Sequence, residues 1–352
     1  MHIHVPIKTG LRKSCLISTF SLLALGLPSA ALSEHSPPHG EAFSDPDYVV
    51  KMDAEWIAQK VKYDKEVGDA DLVISLGQQT YPALHEYVEQ YAAEKGIKIV
   101  IQQGTCGVTA KRLSNKSINM GAHCCPPGQT DRLPGLKFHT IGIGPIALVT
   151  NTENPVTNLT TDEARDIFGG EHVYWSEVPG TEGFKFLSKP IEPVVRLHCK
   201  KRPGHWKLML GNADLFSPRA HSVGIIPDMI KQVSESKTAI GYETLFMLKV
   251  HEKKGKVKIL MIDGHHPGDL NYAQQGKYPF YRTYNLTSWQ NDGKQGELAE
   301  DLINNMIQYL ENNSEKLGIV PATRLRLAGW KFMGDELIGE PGGADVTSEH
   351  KH

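Results

Sequence analysis

The sequence has no Cys-x-x-Cys pair, no apolar run long enough to span a bilayer, and no excess of either charge. The first absence removes the spacing used by thiol oxidoreductases and zinc sites. The second removes a membrane helix. The third, a formal charge of -2, argues against nucleic acid or an anionic membrane surface as partner. No repeat of fixed period is visible, which excludes a solenoid array. The loops singled out below carry no Ser/His/Asp set and no carboxylate pair, so the expectation is a binding protein and not an enzyme, with no cofactor and no resident metal. Cysteine is scarce too, five in 352 residues, and its placement is the most informative thing present.

Residues 1–31 read as a secretory signal. Lys8, Arg12 and Lys13 precede an apolar stretch from Cys15 to Leu27, and Ser29-Ala30-Ala31 offers a small-residue cleavage site. Cys15 leaves with that segment, and the expected location is periplasmic. Four cysteines then remain, with three possible pairings that the sequence does not choose among. An oxidising compartment makes disulfides the default. Of sixteen histidines, His35, His39, His350 and His352 fall in tails, and His265-His266 in a loop without an assigned role.

Residues 32–47 read as a mobile leader and 48–66 as a short amphipathic helix, together a leader region to residue 70. A strand over 71–76 leads through Gly77 to Thr80 into a helix with Pro82 in its first turn. Leu84, Tyr87, Val88, Tyr91 and Ala92 form its apolar stripe, and Gly96 ends it. A strand over 97–102, a short helix near 108–113 and a strand over 120–122 follow. That is βαβ logic, hence a parallel sheet. The periodicity also gives a long strand over 139–150, a helix opened by a Thr160–Glu163 capping box, strands over 191–197, 238–242 and 257–262, and helices near 205–210 and 298–310. Residues 334–352 read as a disordered tail.

In α/β sheets, ligands gather beyond the carboxyl ends of the strands. The loops 77–80, 104–108 and 122–125 all occupy that end. Cys106 lies in the second loop and His123-Cys124-Cys125 in the third. Thiols at such a rim point to a thiophilic ligand. Cys106, beside a helix start, is expected to have a lowered thiol pKa, with a half-cystine or small core residue as its other reading. Cys124 and Cys125 are expected to diverge, as neighbours in an extended chain do. Thr80 is either a hydroxyl contact or simply an N-cap, and His123 either a hydrogen-bonding partner of the ligand or satisfied by backbone groups.

Residues 70–330 resemble the type II periplasmic solute-binding proteins, in their phosphate-receptor-like branch. The resemblance is carried by the segment Ile141 to Gly170 (with Asn154-Pro155-Val156-Thr157-Asn158-Leu159-Thr160 and Asp166-Ile167-Phe168-Gly169-Gly170), by Trp175-Ser176-Glu177-Val178 and by Ala239-Ile240-Gly241-Tyr242. It implies an α/β fold of two lobes, each a mixed sheet flanked by helices, joined by a two-strand hinge and closing on an oxyanion. The implied partition is lobe 1 over 71–145, lobe 2 over 146–240, and lobe 1 again over 241–333. Where phosphate receptors carry hydroxyl-rich turns and an acid, this chain has Gly104-Thr105-Cys106-Gly107-Val108, His123-Cys124-Cys125 and His198-Cys199-Lys200-Lys201-Arg202. That departure resembles the AioX-type arsenic-oxyanion-sensing proteins.

The resemblance implies an arsenite-binding sensor that signals to a membrane histidine kinase of a two-component system. The implied ligand set is Thr80, Cys106, Gly107, Val108, His123 and Cys124, with Arg202 and His205 approaching from the second lobe. Cys125 and Cys199 stand as an alternative bridge between the lobes. Two other readings stay open: a receptor delivering phosphate, arsenate or another oxyanion to an ABC transporter, and a periplasmic soft-metal carrier.

Overall fold

The computed structural model describes residues 43–186, 188–197, 209–210 and 215–342, all within one compact unit. The expected signal segment and most of the leader lie outside the described residues.

Three parallel strands open the fold: β1 (Leu72–Gly77) lies between β2 (Ile99–Gly104) and β3 (Met120–His123). The crossovers are α2 (Tyr81–Lys95) and α3 (Cys106–Ser114). Gly96 ends α2 in the left-handed region, at φ 65°, where a residue without Cβ is unstrained. Next comes β4 (Leu136–Asn151), longer at both ends than its apolar pattern suggested. Then follow β5 (Asn158–Leu159), α4 (Thr161–Gly169) with the expected capping box, β6 (Glu192–Val195), β7 (His221–Ser222), the helix Ile226–Glu235 and β8 (Ala239–Thr244). The chain continues through β9 (Val257–Ile259), β10 (Met261–Ile262), β11 (Tyr281–Trp289), the helix Gly293–Leu317, β12 (Val320–Pro321), β13 (Lys331–Met333) and β14 (Glu336–Gly339).

The main sheet runs β2-β1-β3-β11-β4-β8-β6-β7, with β9 and β12 also pairing with β4. Strand β4 is its spine. Leu136 to Pro145 pair antiparallel with β11, and Ile146 to Thr150 pair antiparallel with β8. The switch falls at Pro145, which has no N–H to give to a ladder. Two cores form on either side of that switch. One packs β1–β3 against α2 and the helix Gly293–Leu317, through Leu72, Ile74, Leu84, Val88, Leu302 and Met306. The other gathers Phe168, Trp175, Val194, Ile230, Ile240 and Tyr242.

The structure corrects several expectations. The helix over 48–66 shrinks to α1 (Ala54–Ala58), capped by Asp53, and the ammonium of Lys116 bonds the Ile57 and Gln59 carbonyls at its end, at 3.2 and 2.7 Å. Beyond residue 240 the chain serves both cores: Met247, Leu260, Leu270 and Phe280 pack in the second, Tyr284 and Leu302 in the first, and Val320 and Leu325 in the second again. Residues 334–342 are no disordered tail where described, since β14 pairs with β13 and Leu337 is 2% exposed. β11 was not anticipated: its buried Arg282 and run of hydroxyl-bearing residues hide the strand pattern.

Gly142 allows β12 to lie against β4. A Cβ there would meet the Val320 carbonyl oxygen at 2.5 Å, backbone that cannot swing away. Gly142→Ala is expected to cost about 1–3 kcal/mol as overpacking, read as a lower urea midpoint; an unchanged midpoint would contradict this packing.

Candidate functional site

Three strand ends and one helix start set the thiols. β1, β2 and β3 finish side by side at Gly77, Gly104 and His123. α3 starts at Cys106 because Thr105 is extended and its hydroxyl accepts the Val108 N–H at 3.3 Å. Cys124 and Cys125 follow β3 in a turn, where the Cys125 carbonyl accepts from the Asn285 carboxamide at 2.9 Å. The Sγ atoms of Cys106 and Cys124 come to 3.4 Å, far beyond the ~2.05 Å of a bond between them. Cys125 interacts with both through its side chain. The expected divergence of Cys124 and Cys125 is thus corrected: the pair sits past the strand end, where alternation no longer governs side-chain direction. Cys106 and Cys125 are buried and Cys124 is partly exposed, so the cluster has one face towards solvent.

Cys124 and Cys125 are held in their neutral form. Contact with Cys106 raises the Cys124 pKa most; contact with Cys125 lowers it by less, burial raises it further, and Arg282 lowers it slightly. Cys125 stands well above the ordinary thiol value through Cys106, Cys124 and burial, in that order.

Next to the thiols lies a buried polar cluster that joins both halves of the sheet. Glu243, second to last in β8, has no exposure at all. Its Oε1 accepts from Gln79 Nε2 at 2.7 Å and from the Thr244 N–H at 2.9 Å. Its Oε2 accepts from Arg196 Nη1 at 2.9 Å, and Arg282 Nη2 lies 3.6 Å from Oε1. Arg196 reaches the first half again through Nη2, which donates to Gln78 Oε1 at 3.0 Å. Arg282 Nη1 approaches Cys124 Sγ at 3.8 Å. Burial acts to lower the Arg282 pKa, yet Glu243, Cys124 and two tyrosines together leave it above its usual value.

The other expected residues divide. The Thr80 hydroxyl closes its own turn, accepting from the Gly77 N–H at 2.9 Å, and makes no capping bond to α2. The Val108 N–H is taken by Thr105, and Gly107 is exposed at the start of α3. His123 is buried, tilted against Phe138, with neither ring nitrogen partnered among the described residues. That differs from the expectation that backbone groups satisfy it. Arg202, His205 and Cys199 lie outside the described residues, and so does any bridge from Cys125 to Cys199. Among the described residues, no group of three or more His, Cys, Asp or Glu side chains is arranged to hold a metal ion. Sequence reasoning missed Glu243 and Arg282. Their signal was a charged residue inside an otherwise buried strand, in Gly241-Tyr242-Glu243 and Tyr281-Arg282-Thr283.

Comparison with known proteins fits this geometry. The model of the PBP superfamily domain matches residues 64–310. The chain belongs to the PBP superfamily. Two solved PBP-like structures share the fold: an ABC-type phosphate transport receptor from Vibrio cholerae (TM-score 0.56, 18% identity) and a candidate phosphate ABC transporter substrate-binding protein from Clostridium perfringens with bound phosphate (TM-score 0.57, 20% identity). Each is matched over 99% of its length and 71% of this chain. The Phosphate-binding protein PstS 2 of Streptococcus agalactiae is 24% identical over 142 residues, 38% of this chain. The chain spans about half the length of that curated relative, 48%. The PBP-like fold, a mixed α/β structure of two halves with sheets flanked by helices, is therefore the architecture that carries the site. Among the described residues no helix is long and apolar enough to cross a membrane.

The raised thiol values have a pH consequence. A group whose folded pKa exceeds its unfolded one contributes stability that is whole below the unfolded value and fades above it. Stability is expected to hold up to about pH 9, the ordinary thiol value of 9.0, and to fall beyond it as thiolate ultraviolet absorbance grows. Thiolate formation at Cys124 or Cys125 with a midpoint below 9.0 would contradict the arrangement.

Proposed function

We propose that this PBP-superfamily chain is an exported oxyanion receptor whose ligand is arsenite, captured by Cys106 and Cys124 with Cys125 beside them. The single observation behind this reading is the 3.4 Å approach of two thiols at the ends of parallel strands, one of them partly exposed. Trivalent arsenic is soft and prefers sulfur. Arsenous acid is neutral and exchanges hydroxyl for thiol: an As–S bond forms, an As–O bond breaks, and the thiol proton leaves with the hydroxyl as water. No electron changes hands. The neutral state of Cys124 and Cys125 suits that exchange, because each proton has a place to go. A metal cation would instead have to expel protons from thiols held above their usual pKa. That weighs against a soft-metal carrier.

The direct joints between the halves support a sensing role for a membrane histidine kinase. Gln79 to Glu243 and Arg196 to Gln78 hold the two sides of the site together. A ligand acts on such a protein only through its preference for one form, and sulfur ligation on this rim would favour the joined form that a partner reads.

The second reading is a phosphate receptor serving an ABC transporter, as the names of the relatives suggest. Two guanidiniums at the rim favour it; their engagement by Glu243 disfavours it.

A thermal-shift series separates the two. Arsenite at a hundredfold excess over its Kd should stabilise the protein by about 2.7 kcal/mol, and inorganic phosphate should leave Tm unchanged. Cys106→Ser and Cys124→Ser should each abolish the arsenite shift. A phosphate shift in place of an arsenite shift, or an arsenite response undiminished in both variants, would overturn the reading.

A further inference from the structure

We propose that Glu243 is a built-in anion that fills the oxyanion-binding donors of this receptor and so determines its specificity, refusing tetrahedral dianions. This inference rests on the reading of the rim as an oxyanion site, and names the residue that selects among oxyanions there.

A receptor for a tetrahedral dianion presents forked guanidiniums, carboxamides and main-chain N–H groups converging on one buried point. Those donors are present here, and they converge on a side chain. The Glu243 carboxylate, wholly buried, takes Gln79 Nε2 at 2.7 Å, the Thr244 N–H at 2.9 Å and Arg196 Nη1 at 2.9 Å, with Arg282 Nη2 at 3.6 Å. The donors come from both halves of the sheet: Gln79 from the loop after β1, Arg196 from the end of β6, Thr244 from the end of β8 and Arg282 from β11. An oxyanion held between two lobes would be met from the same directions.

Part of the remaining donor capacity is also directed at the chain itself, while Arg196 Nε has no partner among the described residues. Arg196 Nη2 donates to Gln78 Oε1, and Arg282 Nη1 faces Cys124 Sγ. Two guanidiniums against one carboxylate leave a local charge near +1. A dianion entering this point would have to displace Glu243 and strand a carboxylate in a site without water, which is costly. A neutral solute has no such conflict. It can bind at the thiols, a single Arg282 side chain away, while Glu243 stays in place.

Isothermal titration with inorganic phosphate tests this on the full mature chain. Wild type should give no binding heat at millimolar phosphate. Glu243→Gln, which removes the charge and keeps the shape, and Glu243→Ala, which also opens space, should bind phosphate at least about tenfold more tightly than wild type. Arsenite binding to Glu243→Gln should persist. Micromolar binding of phosphate by wild type would overturn the inference whatever the variants do. Folded variants that bind phosphate no better than wild type would overturn it too. Where circular dichroism shows a variant unfolded, the wild-type titration alone decides. Loss of arsenite binding in wild type is a separate outcome: it removes the arsenite reading and leaves the role of Glu243 to the phosphate results.

Discussion

A carboxylate sealed from water must have its charge met from within, and at Glu243 the partners come from four separate segments of the chain. This cluster is what makes a long spine strand and two cores into one site-bearing structure. β4 changes partner from β11 to β8 at Pro145, and Arg282 and Glu243, paired with β4 on either side of that point, carry the connection across. The ion pairs themselves are weak evidence of net stability, because desolvation offsets much of their attraction. Their contribution is geometric: they fix where Arg282 sits, and Arg282 stands beside Cys124.

The thiols and the carboxylate cluster therefore form one device with a soft and a hard side. On the hard side Gln79, Arg196 and the Thr244 N–H are met by the Glu243 carboxylate. On the soft side the three thiols meet, Cys124 and Cys125 as neutral groups and Cys124 partly exposed. The PBP superfamily supplies the frame, two α/β halves with sheets flanked by helices. Residue chemistry on those loops sets what the frame can hold.

Local signals carried most of the first half. Gly96 at a left-handed φ, Pro82 in the first turn of α2 and the Thr160–Glu163 box each act within one turn, so their outcomes were legible without tertiary knowledge. The shared rim of β1, β2 and β3 followed from parallel connectivity. What was not legible depended on long-range partners. β11 looks polar by composition, yet every residue in it is buried, because Thr140, Gly121 and Cys125 supply partners for Asn285 and Thr287. Glu243 gave no hint of its partners, since Gln79 lies 164 positions away. The contact between Cys124 and Cys125 arose from a turn that the alternation rule does not cover.

Arsenic-edge X-ray absorption on protein loaded with one equivalent of arsenite bears most directly on the role given to the thiols. Sulfur in the first shell of arsenic, lost when Cys106 and Cys124 are both replaced by serine, is the expected result. A shell of oxygen alone in the wild-type protein would contradict it.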